Sequence, residues 1–236
     1  SPATHIKAAR EKARDRVLTR EEIRRLFAEL DGMNLWPATR NALEFILRTA
    51  QRPGEVRAME WSDLDWGRGL WIIPAEKAKN REAHVVPLPG EALAILDRAA
   101  ETAWNSPWVF PATMRNGCLS KYALNDAMTR AIDPAKRRGL AYRPDAQPIM
   151  DRATPHDLRR TAATLITELG FNRLVVDKLL NHKDASVGGV YDRHSYDAEK
   201  RQALEAWEHD LVATFNPGQG KGAEVVSLAG MEGPNA

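Results

Sequence analysis

The chain has 236 residues, 43% of them hydrophobic and 28% charged, with one cysteine and a formal net charge of +2. A mean hydropathy of -0.47 and the lack of any apolar run near ~18 residues exclude a membrane-spanning helix, while composition excludes collagen, coiled coil and wholesale disorder. The lone Cys118 excludes an internal disulfide framework and a multi-cysteine zinc site and fits a reducing cytoplasm.

Residues 1–17 form a charged lead-in of Ala, Lys and Arg, readable as linker or helix. Thr19 and Glu22 then make a capping box, followed at helical spacing by Ile23, Leu26, Phe27 and Leu30 and stopped by Asp31-Gly32. A second helix over 37–50 opens on Pro37 and carries Leu43, Phe45, Ile46 and Leu47; Pro53-Gly54 interrupts it, and a short helix is expected over Glu55–Trp61. From Leu64 to Leu88 the pattern changes: residues 69–74 and 84–88 read as short strands around a basic hairpin, Glu76–Glu82. Helices resume at Glu91–Ala103, Ser120–Ile132, Pro155–Leu169, Arg173–Leu180 and Ala198–Phe215, with residues 133–153 as a loop. The Gly-, Pro- and Ala-rich tail, 216–236, is expected to be disordered. The predicted fold is α+β, mostly helical, with one small antiparallel β-sheet, in a domain spanning 18–215.

The charge is unevenly placed. From Ser195 onward the chain carries -4, which leaves Ser1–His194 at +6. Arginine outnumbers lysine 24 to 10, and its planar fork matches two phosphate oxygens at once. A GC-rich genome accounts equally for the arginines, so charge permits a polyanionic partner without demanding one.

Four segments carry candidate chemistry. In Thr154-Pro155-His156-Asp157-Leu158-Arg159-Arg160, Thr154 caps a helix, Pro155 occupies its first position, and His156 and Arg159 share a face. The free N–H groups of that first turn favour an anion, on which imidazole and guanidinium converge. Thr49-Ala50-Gln51-Arg52-Pro53-Gly54-Glu55 places Arg52 where an apolar helix ends, with Glu55 near enough to orient it. Leu179-Leu180-Asn181-His182 places a histidine where another helix stops, and Tyr191 follows nine residues later in Val190-Tyr191-Asp192-Arg193-His194. Lys79 lies in the hairpin. Each segment alone reads as readily as solvated surface.

Together, in this order, Arg52, Lys79, His156, Arg159, His182 and Tyr191 resemble the tyrosine recombinase (phage integrase) family. That family's pattern is Thr-x-x-Arg-x-x-Glu, a hairpin lysine, His-x-x-Arg, Leu-x-His and a tyrosine about nine residues on. The resemblance covers Thr19 to Phe215 and is strongest to integrases of prophages and genomic islands. Ala50 and Asn181 stand where glycines are usual, but neither position supplies a catalytic side chain. The resemblance implies a recombinase catalytic-domain helical bundle and no cofactor or metal. Its implied partners are double-stranded DNA attachment sites, other protomers in a tetrameric synapse, and DNA-bending accessory proteins in the cytoplasm. Full integrases carry DNA-binding domains ahead of this one, so the chain is expected to be a fragment that clamps DNA incompletely.

The implied reaction is attack of a tyrosine hydroxyl on a DNA phosphodiester, leaving a 3′-phosphotyrosyl link and a free 5′-hydroxyl. Three obstacles stand in its way. The phosphodiester anion repels nucleophiles, a phenol with a pKa near 10 is only about one part in a thousand ionised at pH 7, and the leaving alkoxide needs a proton. The resemblance assigns Arg52 and Arg159 to the non-bridging oxygens, His156 to the phosphate or the tyrosine proton, and Lys79 to the 5′-oxygen. It assigns His182 to a non-bridging oxygen and Tyr191 to the attack.

Rivals remain. Tyr196, at the start of the last helix, is read as packing or capping; Lys77 competes with Lys79 while the hairpin register is unset; His84 is read as surface or core. The last helix, with Leu204, Trp207, Leu211 and Phe215 on one face, either packs on its own domain or docks on a neighbouring protomer. Alternative functions are type IB topoisomerase-like nicking and closing, a catalytically silent DNA-binding regulator, and a metal nuclease using His156 and His182.

Overall fold

In a computed structural model the described residues are 15–103, 105–114, 117–137, 143–182 and 195–217. The expectations for Tyr191, His194, most of the lead-in and most of the tail lie outside them. The helices are α1 (Arg20–Asp31), α2 (Pro37–Thr49), α3 (Pro53–Arg57), α4 (Gly90–Ala103), α5 (Lys121–Ile132), α6 (Pro155–Glu168), α7 (Arg173–Leu179) and α8 (Asp197–Phe215). Between α3 and α4 lie β1 (Leu64–Asp65), β2 (Leu70–Ile73) and β3 (His84–Pro87), an antiparallel sheet in the order β1-β2-β3. Its register pairs Trp71 with Val86 and Ile73 with His84.

The α1 start forms as its sequence requires: the Thr19 hydroxyl accepts from the Glu22 N–H, and the Glu22 carboxylate takes the Thr19 N–H at 2.9 Å. Its apolar stripe, Ile23, Leu26, Phe27 and Leu30, is buried. Helix α2 is buried nearly all round because it runs through the centre, packed on α4, α5, α6 and α8. Even its charged pair is interior. Glu44, 4% exposed, accepts from Arg48 Nε at 2.7 Å and also pairs with Arg40 and Arg98. A buried carboxylate survives desolvation only with such partners.

Two expectations need correction. The helix placed over Glu55–Trp61 is shifted to Pro53–Arg57, because Pro53 at the first position and Arg52 at the N-cap start it earlier. Trp61 belongs instead to a separate 3₁₀ turn, Trp61–Asp63, after Glu60 pairs with Trp108 in a single β-bridge. The 133–153 loop contains a further 3₁₀ turn, Pro134–Lys136, capped by Asp133.

Helix α8 packs on its own chain. Ala203, Leu204, Trp207 and Leu211 are fully buried against the α1, α2, α6, α7 and β3 surfaces, and Trp207 Nε1 donates to the Leu47 carbonyl at 2.8 Å. Lys200 in the same helix donates to the Val85 carbonyl at 2.8 Å, fastening α8 to the sheet.

Candidate active site

The chain turns out of α2 at Ala50, whose φ of 56° and ψ of 23° are left-handed. Asn181, after α7, has a φ of 49°. Both positions therefore reverse the chain at a helix C-terminus, the conformation in which glycine is least strained. Each turn leaves backbone carbonyls without helical partners, and the site is built on them.

Arg159, in the second turn of α6, is 5% exposed. Its guanidinium donates to the Ala50 carbonyl at 2.8 Å and to the Leu180 carbonyl at 2.7 Å. These oxygens lie at the negative ends of α2 and α7, so the buried cation is held by helix termini rather than by a carboxylate. Arg52 caps α3; its Nη1 donates to Glu55 Oε1 at 3.1 Å and its Nη2 to the Asn181 carbonyl at 3.2 Å. Burial and, next, the charge of Arg52 push the Arg159 pKa down to about 9, with Glu55 opposing. The guanidinium thus stays charged at pH 7 but lies near a second cation, whose own carboxylate partner, Glu55, offsets the pair only in part. An anion relieves that repulsion.

His156 sits at the α6 N-terminus. The turn is tied by Asp157, whose carboxylate accepts from the Thr154 N–H at 2.9 Å and hydroxyl at 2.8 Å. Desolvation by the site walls, then Arg159, Arg160 and Lys79, lower the His156 pKa against the pull of Asp157. The imidazole is accordingly uncharged at pH 7, able to accept or donate a proton. It lines two adjoining clefts. One, of about 410 Å³, is walled by Arg52, Glu55, Lys79, Lys121 and Asn125; the other, of about 520 Å³, by Arg159, Arg160, Asp177 and His182.

His182 is oriented by Asp177, whose Oδ1 lies 2.9 Å from its Nδ1, and by its own N–H to the Asp177 carbonyl at 2.9 Å. The sequence gives no sign of this pair: the five-residue separation matches no helical spacing, and the contact exists because the chain turns at Asn181. Asn80, Asn181, Lys121 and Asn125 are likewise placed at the site by the fold alone.

The hairpin rivals both line the first cleft but differ in their partners. Lys77 Nζ bonds both Asp63 oxygens at 2.8 Å and Glu60 at 3.0 Å. Despite burial, these bonds raise its pKa, so its proton is held. Lys79 is exposed; its N–H donates to Glu55 Oε1 at 3.1 Å, while among the described residues no hydrogen bond or ion pair engages its ammonium. Tyr196 is a left-handed N-cap of α8, partly buried, with the Lys178 ammonium 5.3 Å from its ring. Of the six residues picked out by sequence, five thus border the paired clefts, and Tyr191 lies outside the described residues.

His84 is core, 5% exposed, and its Nε2 lies 2.9 Å from the Leu179 carbonyl. That carbonyl also accepts from Gln51 Nε2 at 3.0 Å, so β3, α7 and the α2–α3 turn share one knot behind Arg159. Burial first, then Lys200, push the His84 pKa down to about 3, with the Leu179 bond opposing. Unfolding lets it take a proton near its ordinary value of about 6.5, so between those values the unfolded state binds more protons and stability rises with pH. The urea midpoint is therefore expected to be flat between pH 7 and about pH 8, short of the range where Arg159 titrates, and to fall steadily as pH drops below about 6.5. His84→Asn should flatten that slope, leaving the share due to His156 and, in the carboxylate range, that of the ion-paired Glu22 and Asp197.

A profile of the phage integrase family matches residues 16–198. The chain belongs to that family. Prophage integrase IntA of Escherichia coli (strain K12) is 30% identical over 183 residues, covering 77% of this chain and 40% of IntA. Tyrosine recombinase XerD of Rhizobium meliloti (strain 1021) is 25% identical over 179 residues, covering 74% of this chain and 50% of XerD. The chain thus spans half or less of the length of these integrase-family relatives. Among solved structures, the Tn1549 transposon integrase in complex with circular intermediate DNA superposes with a TM-score of 0.58 at 15% identity, over 80% of this chain and 66% of that one. A lambda integrase dimer bound to a COC′ core site gives 0.56 at 23% identity, over 80% and 64%. The architecture is that of the integrase catalytic domain, as the sequence predicts.

Proposed function

We propose that this chain is the catalytic domain of a site-specific recombinase that cuts and rejoins DNA through a 3′-phosphotyrosyl intermediate. The observation that carries the reading is the pair of guanidiniums, Arg159 locked on the Ala50 and Leu180 carbonyls and Arg52 locked on Glu55 and Asn181. Two adjacent cations held without reorganisation are complementary to an anion whose charge grows in the transition state.

In the proposed reaction the Tyr191 oxygen bonds to phosphorus as the bond from phosphorus to the 5′-oxygen breaks. The tyrosine proton passes to the neutral His156 or to water, and Lys79 protonates the departing 5′-oxygen. Arg52, Arg159 and the Asp177-oriented His182 hold the non-bridging oxygens. A 5′-hydroxyl from a second strand then attacks the phosphotyrosyl bond, restoring the diester and the phenol. Because the phosphotyrosyl link conserves the energy of the broken diester, neither ATP nor a metal is required.

The full reaction is proposed to need duplex attachment sites, a tetrameric synapse of protomers and, for some sites, a DNA-bending protein, in the cytoplasm. The lambda integrase dimer on its core site supports the DNA and protomer parts of this reading. The proposed domain is 18–215, with 216–236 as a tail. The test is covalent capture on a nicked duplex selected from a random-sequence pool. The protein is expected to form a DNA adduct in the presence of a chelator, and no adduct with Tyr191→Phe. Two-site strand exchange separates recombination from relaxation by nicking and closing alone.

A further inference from the structure

The hairpin that carries Lys79 has no strand ladder to hold it, since β2–β3 pairing ends at Ile73 and His84. Its tip is tied sideways instead. Asn80 Nδ2 donates to Asn181 Oδ1 at 2.9 Å, and Asn181 Nδ2 donates back to Asn80 Oδ1 at 3.1 Å, a reciprocal amide pair. Asn80 Nδ2 also reaches the Asn181 carbonyl at 3.2 Å, the oxygen that accepts from Arg52 at the same distance. Asn181 holds a left-handed backbone that asparagine tolerates better than most residues, and among the described residues every hydrogen bond of its side chain goes to the hairpin, the remaining one to the Glu82 carbonyl at 3.5 Å.

We propose that Asn80 and Asn181 are positioning residues, a latch that fixes the Lys79 hairpin against the turn bearing Arg52's anchor and His182. The latch rests on the proposed function above, in which Lys79 protonates the leaving 5′-oxygen. Lys79 is exposed on a long flexible stem, so its reach is set by where the backbone beside it is pinned. Glu55 pins the Lys79 N–H on one side; the amide pair pins the next residue on the other. Releasing the second pin leaves Arg52, Arg159 and His182 on their own anchors and lets the ammonium drift.

The test compares capture rates of the 236-residue chain on two duplexes identical except that sulfur replaces the bridging 5′-oxygen in one. A thiolate, with a pKa near 8.5, leaves without protonation, so the second duplex does not need the acid. Asn181→Gly keeps the turn and removes the amide; Asn80→Ala removes its partner. Each is expected to slow capture of the ordinary duplex by about ten- to a hundredfold. The double variant should be no slower than the slower single, and all should capture the sulfur duplex at nearly the parent rate. Equal slowing on both duplexes, as misfolding also gives, overturns the latch, as do additive losses or no loss. A parent chain that captures neither duplex overturns the proposed function itself, whereas a parent that captures both isolates the failure to the latch.

Discussion

Arg159→Lys is expected to slow covalent capture by about 10²- to 10³-fold at saturating DNA, the usual cost of losing one fixed donor to a developing oxyanion. Charge is retained, so the loss measures geometry. The native guanidinium spans two carbonyls, of Ala50 and Leu180, with separate nitrogens and still presents an edge to the second cleft. An ammonium is a point donor that satisfies one carbonyl and leaves the other bare, or abandons both to reach the phosphate. Leaving one buried carbonyl unsatisfied costs about 1–3 kcal/mol, which a melting curve resolves from the catalytic loss. A capture rate close to that of the parent would mean that the scissile phosphate does not use this guanidinium.

Trp207→Ala should remove about 3–5 kcal/mol of stability, lowering the melting temperature by roughly 10 °C for a protein of this size. The indole is fully buried, and its N–H holds the Leu47 carbonyl at 2.8 Å in the last turn of α2. Removing it opens a cavity at the junction of α8 with α2. Because α8 packs in cis, the parent's melting temperature should not vary with protein concentration. A helix docked on a neighbour in solution makes it rise with concentration, and an unchanged melting temperature for Trp207→Ala would show that the α8–α2 contact carries no weight.

What the sequence disclosed follows from how local each signal is. The α1 and α6 starts were legible because a capping box and a proline act within four residues, and the helical stripe of Ile23, Leu26, Phe27 and Leu30 needs no tertiary information. The short helix was misplaced because Trp61 pairs its region with Trp108 through Glu60, a contact across the chain. At the site, residue types and order indicated Arg52, Lys79, His156, Arg159 and His182. Glu55 as a partner of Arg52 was legible too, but the other anchors of the two arginines were not, for they are backbone carbonyls of Ala50, Leu180 and Asn181, and any residue has a carbonyl. The difference between the two hairpin lysines likewise needed the fold, which delivers Asp63 and Glu60 to Lys77. Ala50 and Asn181, read by sequence only as positions that supply no catalytic side chain, are the two left-handed turns on which the arginines hang.

Tyr191 is proposed to become bonded to DNA within a site made by these side chains. Trypsin separates the two nearby tyrosines, since cleavage after Lys183 and Arg193 puts Tyr191 on residues 184–193 and Tyr196 on 194–200. Mass spectrometry of the nuclease-trimmed adduct should find the nucleotide on the 184–193 peptide. Finding it on 194–200, or on a serine elsewhere, would contradict the account.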